Sequence, residues 1–198
     1  QVTNPPVDPI REEIVMSLIS YVGPKPNLLG VDYETVFKRL ELSQPVLNFE
    51  DYDSLVNISE LSQGAFDSEI IDITFPVDEG PIGLERALSA IAKRAESAVQ
   101  TGKTILILCD KGVDSARAAI PALLATSSVH HHLVRNGLRT KTGLVVSTGS
   151  AREVHHFALL AGYGAEAVHP WLTMETLTTV TAGSNQEALT HQTNFIKA

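Results

Sequence analysis

Between residues 69 and 181 the chain alternates, four times over, between a short apolar run and a longer stretch where apolar residues return every three or four positions. Ile70-Ile71-Asp72-Ile73-Thr74-Phe75 opens the first unit as a strand. Leu84, Leu88, Ile91, Ala92, Ala95 and Val99 then share one helical face, and Gly102 supplies a stop. The second unit is Thr104-Ile105-Leu106-Ile107-Leu108-Cys109 with a helix over 121–136, ended by Gly137. Gly143-Leu144-Val145-Val146-Ser147 and a helix over 151–161, ended by Gly162, make the third. Ala165-Glu166-Ala167-Val168 and a helix over 171–180 make the fourth. Strands without polar alternation are buried on both faces, so the pattern predicts an α/β domain of consecutive strand-helix units around a parallel, barrel-like sheet. Four such units are half of a (β/α)8 barrel or an open sheet, and spacing alone leaves both open. In either architecture a ligand belongs at the C-terminal strand ends: Phe75-Pro76-Val77-Asp78, Cys109-Asp110-Lys111-Gly112, Ser147-Thr148-Gly149-Ser150 and His169-Pro170.

The first 68 residues follow no such period and predict an irregular part of helix and loops. Asp8 is suited to cap a helix that Pro9 starts, with Glu12 and Glu13 at its positive dipole end. Thr3-Asn4-Pro5-Pro6 before it is held extended by its prolines. Residues 23–68 scatter turn formers among short apolar runs, which predicts loop with one or two short helices such as Glu50–Ile58. Asn194-Phe195-Ile196-Lys197-Ala198 reads as a helix start cut short, and Gln1 without a preceding Met reads as the start of a trimmed piece.

Composition removes several function classes. With 15 Lys and Arg against 23 Asp and Glu, the net charge is −8 and the pI about 5.3, which argues against nucleic acid or an anionic membrane surface as partner. The acidity is concentrated: residues 1–80 carry 15 acids and 4 bases, residues 81–198 carry 8 and 11. Cys109 is the only cysteine, so no internal disulfide, thiolate zinc cluster or all-cysteine iron–sulfur site can form within the chain, and a reducing compartment fits best. No apolar run approaches the ~20 residues a bilayer-spanning helix needs.

Candidate chemistry is sparse. His130-His131-His132 invites a metal reading, but neighbours on a helix point about 100° apart and do not converge on one ion. Glu153 and His156 share a face three residues apart and read as a hydrogen-bonded pair, since no second Glu-x-x-His exists to complete a di-iron motif. Ser147, Thr148, Gly149, Ser150 and Arg152 form the best anion site on physical grounds: a strand end runs through a glycine into a helix start, where free N–H groups and hydroxyls suit phosphate. The plainer reading makes Ser150 the helix N-cap. Asp110-Lys111 reads as a surface turn and Cys109 as a buried thiol. No catalytic residue is assigned.

One stretch adds what spacing does not. Thr3-Asn4-Pro5-Pro6-Val7-Asp8-Pro9-Ile10-Arg11-Glu12-Glu13, with Val15-Met16-Ser17-Leu18 behind it, closely resembles a segment of the glutamate synthase large subunit central domain. Asp72-Ile73-Thr74-Phe75, Ile120–Ala125, Val129–Thr140 and Ala151–Leu160 fit the same family, whereas His169-Pro170-Trp171 stands where the family suggests Asn-Pro before an aromatic. The resemblance implies a single, truncated domain over 1–198: helix and loops over 1–68, four strand-helix units over 69–181, and a linker toward an FMN domain over 182–198. It implies a structural piece that joins a glutamine amidotransferase domain to an FMN-binding synthase domain of the same polypeptide. Thr3, Asn4 and Pro5 would line an ammonia tunnel between the two. FMN and a 3Fe-4S cluster would lie elsewhere in that enzyme, which takes electrons from ferredoxin or through an NADPH-oxidising small subunit. The chain itself would bind no cofactor or metal and would be inactive in isolation, in the cytoplasm or, in a photosynthetic eukaryote, the plastid stroma. The alternative, from the residues alone, is a free-standing α/β domain that binds a phosphorylated ligand or flavin at its C-terminal strand ends.

Overall fold

The computed structural model describes residues 17–25, 38–180 and 185–198. Strands β1 (Ser20–Val22) and β2 (Leu40–Leu42) pair antiparallel. Helices α1 (Phe49–Val56) and α2 (Ile58–Leu61) follow, matching the expected short helical stretch. Asn48 starts α1 with a reciprocal capping box: its side chain accepts from Asp51 N–H at 2.8 Å, and the Asp51 carboxylate accepts from Asn48 N–H. Asn57 breaks the two helices apart, turning its side-chain amide onto the Asp53 carbonyl at 2.9 Å.

The run Ile70–Phe75, which the pattern predicts as one strand, divides into β3 (Ser68–Asp72) and β4 (Thr74–Pro76). The cause is local: the Asp72 carboxylate accepts from the Thr74 N–H at 2.9 Å and from its hydroxyl at 2.8 Å, turning the chain out of the sheet. Helix α3 (Gly80–Gln100) buries Ile91, Ala92, Ala95 and Val99 as its spacing predicts. Next come β5 (Ile105–Cys109) and β6 (Arg117–Ala119). The pattern gives no sign of β6, a short strand that pairs with β4 in a separate two-stranded ribbon. Then follow α4 (Ala122–Arg135), β7 (Gly143–Ser147), α5 (Val154–Gly162), β8 (Ala167–His169), α6 (Trp171–Val180) and α7 (Asn185–Lys197). Two boundaries move. Helix α5 starts at Val154 rather than Ala151, and the positive-φ residue beyond its end is Gly164 (φ 114°), not Gly162. Asn194–Ala198, expected as a helix start, is instead the last turn of α7 and the residue after it.

Strands β3, β5, β7 and β8 form one parallel sheet in that order, so neighbours in space are neighbours in sequence. Its two faces are covered by different parts of the chain. On one, Ile71, Leu106, Leu108 and Leu144 pack with Ile91, Ala95, Val129 and Leu133 of α3 and α4, while Val146 and Val168 meet Leu160 of α5. On the other, Ile105, Ile107, Val145 and Ala167 pack under Val22, Leu47, Leu55, Ile58 and Phe66. Sequential order with the helices of the units on one face is the arc of a partial barrel, and β1, Leu47, α1 and α2 lie where a closed barrel would have its interior. Among the described residues the arc does not close: beyond β8 the chain places Pro45–Leu47, with Val168 N–H bonding Pro45 C=O at 2.8 Å and Leu47 N–H bonding Val168 C=O at 2.9 Å.

Candidate functional site

Strand register sets Asp72, Cys109, Ser147 and His169 in one row across the C-terminal ends, on the face beneath α1. Over that row, Tyr52 of α1 stacks on the His169 ring at 4.4 Å, and Phe49 meets it edge-on at 5.3 Å. The His169 Nδ1 lies 3.0 Å from the Leu47 carbonyl. A carbonyl only accepts, so Nδ1 carries the proton; burial pushes the ring below the usual imidazole value and keeps it neutral at pH 7. The Tyr52 hydroxyl donates to Cys109 Sγ at 3.9 Å, and burial, with the neighbouring thiol next, pushes it up to about 12. Ser147, also beside Tyr52, is 1% exposed, and its hydroxyl makes no hydrogen bond of good geometry among the described residues. Cys109 is only half-buried, more open than the apolar strand before it predicts. Asp72 turns outward onto Arg117, at 2.9 Å.

Asp110, read from sequence as part of a surface turn, is 4% exposed. Its carboxylate accepts from the Thr148 hydroxyl at 2.5 Å, Gly149 N–H at 3.0 Å and Trp171 Nε1–H at 2.6 Å. The loop from β7 to α5 and the start of α6 close over it, which a reading of the Asp-Lys-Gly turn by itself does not foresee. Lys111 does reach the surface, pairing with Glu175 at 2.8 Å over the Trp171 ring.

The five residues of the expected anion site are brought together only in part. Thr148, Gly149 and Ser150 form the turn, with Ser150 N–H and Oγ both on Thr148 Oγ1. Ser147 instead points under Tyr52, and Arg152 stands at the rim of an apolar groove beside α5. Ser150 is not the N-cap, because the helix begins only at Val154. The anion this turn cradles is the chain's own Asp110 carboxylate, and a phosphate placed there would meet a like charge. Gly149 has a packing reason to be glycine, since an added Cβ would come 3.0 Å from Trp171.

At the opposite end of the sheet lies a buried cluster that sequence reasoning missed. Arg139 donates to His130 Nδ1 at 3.1 Å, Thr142 C=O at 2.7 Å, Gly164 C=O at 2.8 Å and Glu166 Oε1 at 3.1 Å. Glu166 also pairs with Lys25 at 3.0 Å and accepts from Gly23 N–H at 3.2 Å, tying the β1 segment to the sheet. The three histidines part company: His130 faces Arg139, His132 faces Glu96 at 2.7 Å, and His131 packs edge-on against His130. His156 Nδ1 accepts from the N–H groups of Arg152 and Glu153, so the expected Glu153–His156 pair is bonded through the Glu153 backbone.

The glutamate synthase central domain family matches the chain over residues 1–198. The chain belongs to that family. Among similar proteins, the NADH-dependent glutamate synthase of Saccharomyces cerevisiae is 44% identical over 98% of the chain, which is 9% of that protein. The large chain of the NADPH-dependent glutamate synthase of Azospirillum brasilense is 45% identical over 89% of the chain and 11% of its own length. The chloroplastic ferredoxin-dependent glutamate synthase of Spinacia oleracea is 41% identical over the same shares, 89% and 11%. This central domain therefore spans about a tenth of the curated relatives it matches, 9–11% in these three. Its residues Thr3, Asn4 and Pro5 lie outside the described ones. No described helix is long and apolar enough to cross a membrane. The groove beside α5, of about 620 Å³, is bordered by Val46, Val154, Phe157, Ala161 and Phe195.

Proposed function

We propose that the domain is a structural centre within a glutamate synthase large chain. It joins the glutamine amidotransferase and FMN-binding synthase domains of one polypeptide and helps form the ammonia tunnel used in making glutamate from glutamine and 2-oxoglutarate. The observation that carries this reading is the filled turn at the C-terminal strand ends. Where an α/β barrel would take an FMN phosphate, Asp110 already occupies the Gly149 N–H, and a single cysteine does not ligate a 3Fe-4S cluster. The residues present fit neither group, so both belong to other parts of the enzyme. Its electrons come from ferredoxin or an NADPH-oxidising small subunit, outside this domain. The chain in isolation is then inactive, and its titration with FMN or a sugar phosphate gives no saturable heat; a saturable isotherm would favour the free-standing ligand-binding reading.

The tunnel role falls on Thr3, Asn4 and Pro5, whose prolines favour an extended backbone with polar side chains beside it. In the full-length enzyme, Thr3→Phe or Asn4→Phe lowers glutamine-dependent synthesis more than ammonia-dependent synthesis, because only the former needs ammonia carried between domains. Equal loss of both rates refutes the role.

A further inference from the structure

Strand β3 is an outer strand of the parallel sheet. The Asp67 C=O accepts from Ile105 N–H at 3.0 Å, and Ile73 N–H donates to Cys109 C=O at 2.9 Å. In a parallel ladder the residues bonded to a given neighbour alternate. Residues 67, 69, 71 and 73 therefore face β5, and the main-chain groups of Ser68, Ile70 and Asp72 point away from the sheet. Among the described residues nothing bonds to those groups, and Ile70 is 47% exposed. The other edge is treated differently, since Pro45–Leu47 takes both outward bonds of Val168. Natural sheets cover, bend or charge such an edge. Charge does not protect this one: Glu69 is paired with Arg94 and Asp72 with Arg117, so neither carboxylate is free to repel an incoming strand.

We infer that an extended segment of the same polypeptide, from outside this domain, adds a further strand along β3. Main-chain bonding to Ser68, Ile70 and Asp72 supplies the contact, and half-exposed Ile70 supplies an apolar side chain beside it. The occupant follows from the size of the edge. Five residues offer three outward N–H and three outward C=O groups, too few to repay a freely diffusing partner or second copy for its lost motion. A segment of the same chain is held at high effective concentration and loses far less, and relatives carry about nine-tenths of their length outside this domain, given shares of 9–11%. The inference deepens the linking role proposed above by naming where and through which groups another part of the enzyme is held.

Hydrogen exchange on the full-length polypeptide, read amide by amide, tests it. The expected result is that the Ile70 and Asp72 amides exchange about 100-fold or more slowly than surface-loop amides, as for paired strands. Ile70→Pro deletes only an outward N–H and leaves the β5 ladder intact, as edge prolines do. It should release protection at Asp72 and, together with it, at one segment beyond the 198 residues. Fast exchange at both amides in the unsubstituted protein overturns the inference and does not depend on the variant folding. So does a released segment inside the 198 residues, or protection that rises with protein concentration, which would assign the edge to a second copy. The readout is independent of the glutamine- and ammonia-dependent rates, so the two proposals fail separately.

Discussion

Removing the Asp110 carboxylate should cost the domain more than any neighbouring polar change, because three donors converge on it and little water can replace it. In Asp110→Ala the Thr148 hydroxyl, the Gly149 N–H and the Trp171 Nε1–H, now 2.5, 3.0 and 2.6 Å from the carboxylate, lose their acceptor together. Each unsatisfied buried donor costs about 1–3 kcal/mol, offset in part because a buried charge also disappears. A net loss of about 3 kcal/mol is the expected outcome. For a domain of this size that lowers Tm by roughly 6–12 °C. Asp110→Asn keeps an acceptor oxygen and the shape, so it should lose about half as much. Thermal unfolding of the chain followed by circular dichroism measures both. If Asp110→Ala shifts Tm by less than about 2 °C, or if Asn is as damaging as Ala, then the convergence of donors is not what holds the strand ends closed.

Two further outcomes follow from the same geometry. In Gly149→Ala the new Cβ comes 3.0 Å from Trp171 and 3.3 Å from Leu172, so the indole must give by a few tenths of an ångström, straining its bond to Asp110 at a cost of about 1–3 kcal/mol. Trp171 is the only tryptophan, so its fluorescence reports the move; an unchanged spectrum at unchanged stability refutes it. Stability should also fall with acid. Burial lowers His169 and His130 below the ordinary 6.5, so the unfolded chain takes up protons first, and their contribution is full above pH 6.5 and declines below it. Urea midpoints at pH 7.5 and 5.5 measure the decline, and His169→Gln should shrink it; an equal decline in the variant removes His169 from the account.

The strand-helix order was legible because burial on both faces leaves an unbroken apolar run. Ile105–Cys109 and Gly143–Ser147 match the predicted strands to within a residue, and the buried positions of α3 fall where the 3.6-residue period puts them. Boundaries set by side-chain bonding were not legible. The split after Asp72 depends on a carboxylate that turns back onto Thr74, and the late start of α5 leaves Thr148–Glu153 as a turn that packs against Asp110 and Trp171. Family membership was legible in the matched segments around Thr3, Val129 and Ala151, which the match over 1–198 bears out.

The sequence by itself determined the α/β class, the four units and the family, because these rest on periodicity and on local identity, both carried along the chain. Only the tertiary structure decided what lies at the strand ends. Asp110, Gly149 and Trp171 are up to 61 residues apart, and their meeting depends on strand register and on how three loops pack, which no local pattern records. The same holds for Arg139 and Glu166, 27 residues apart, whose pairing locks the other end of the sheet. It holds too for what covers each face of the sheet: helices of the units on one side, the N-terminal strands and α1 on the other.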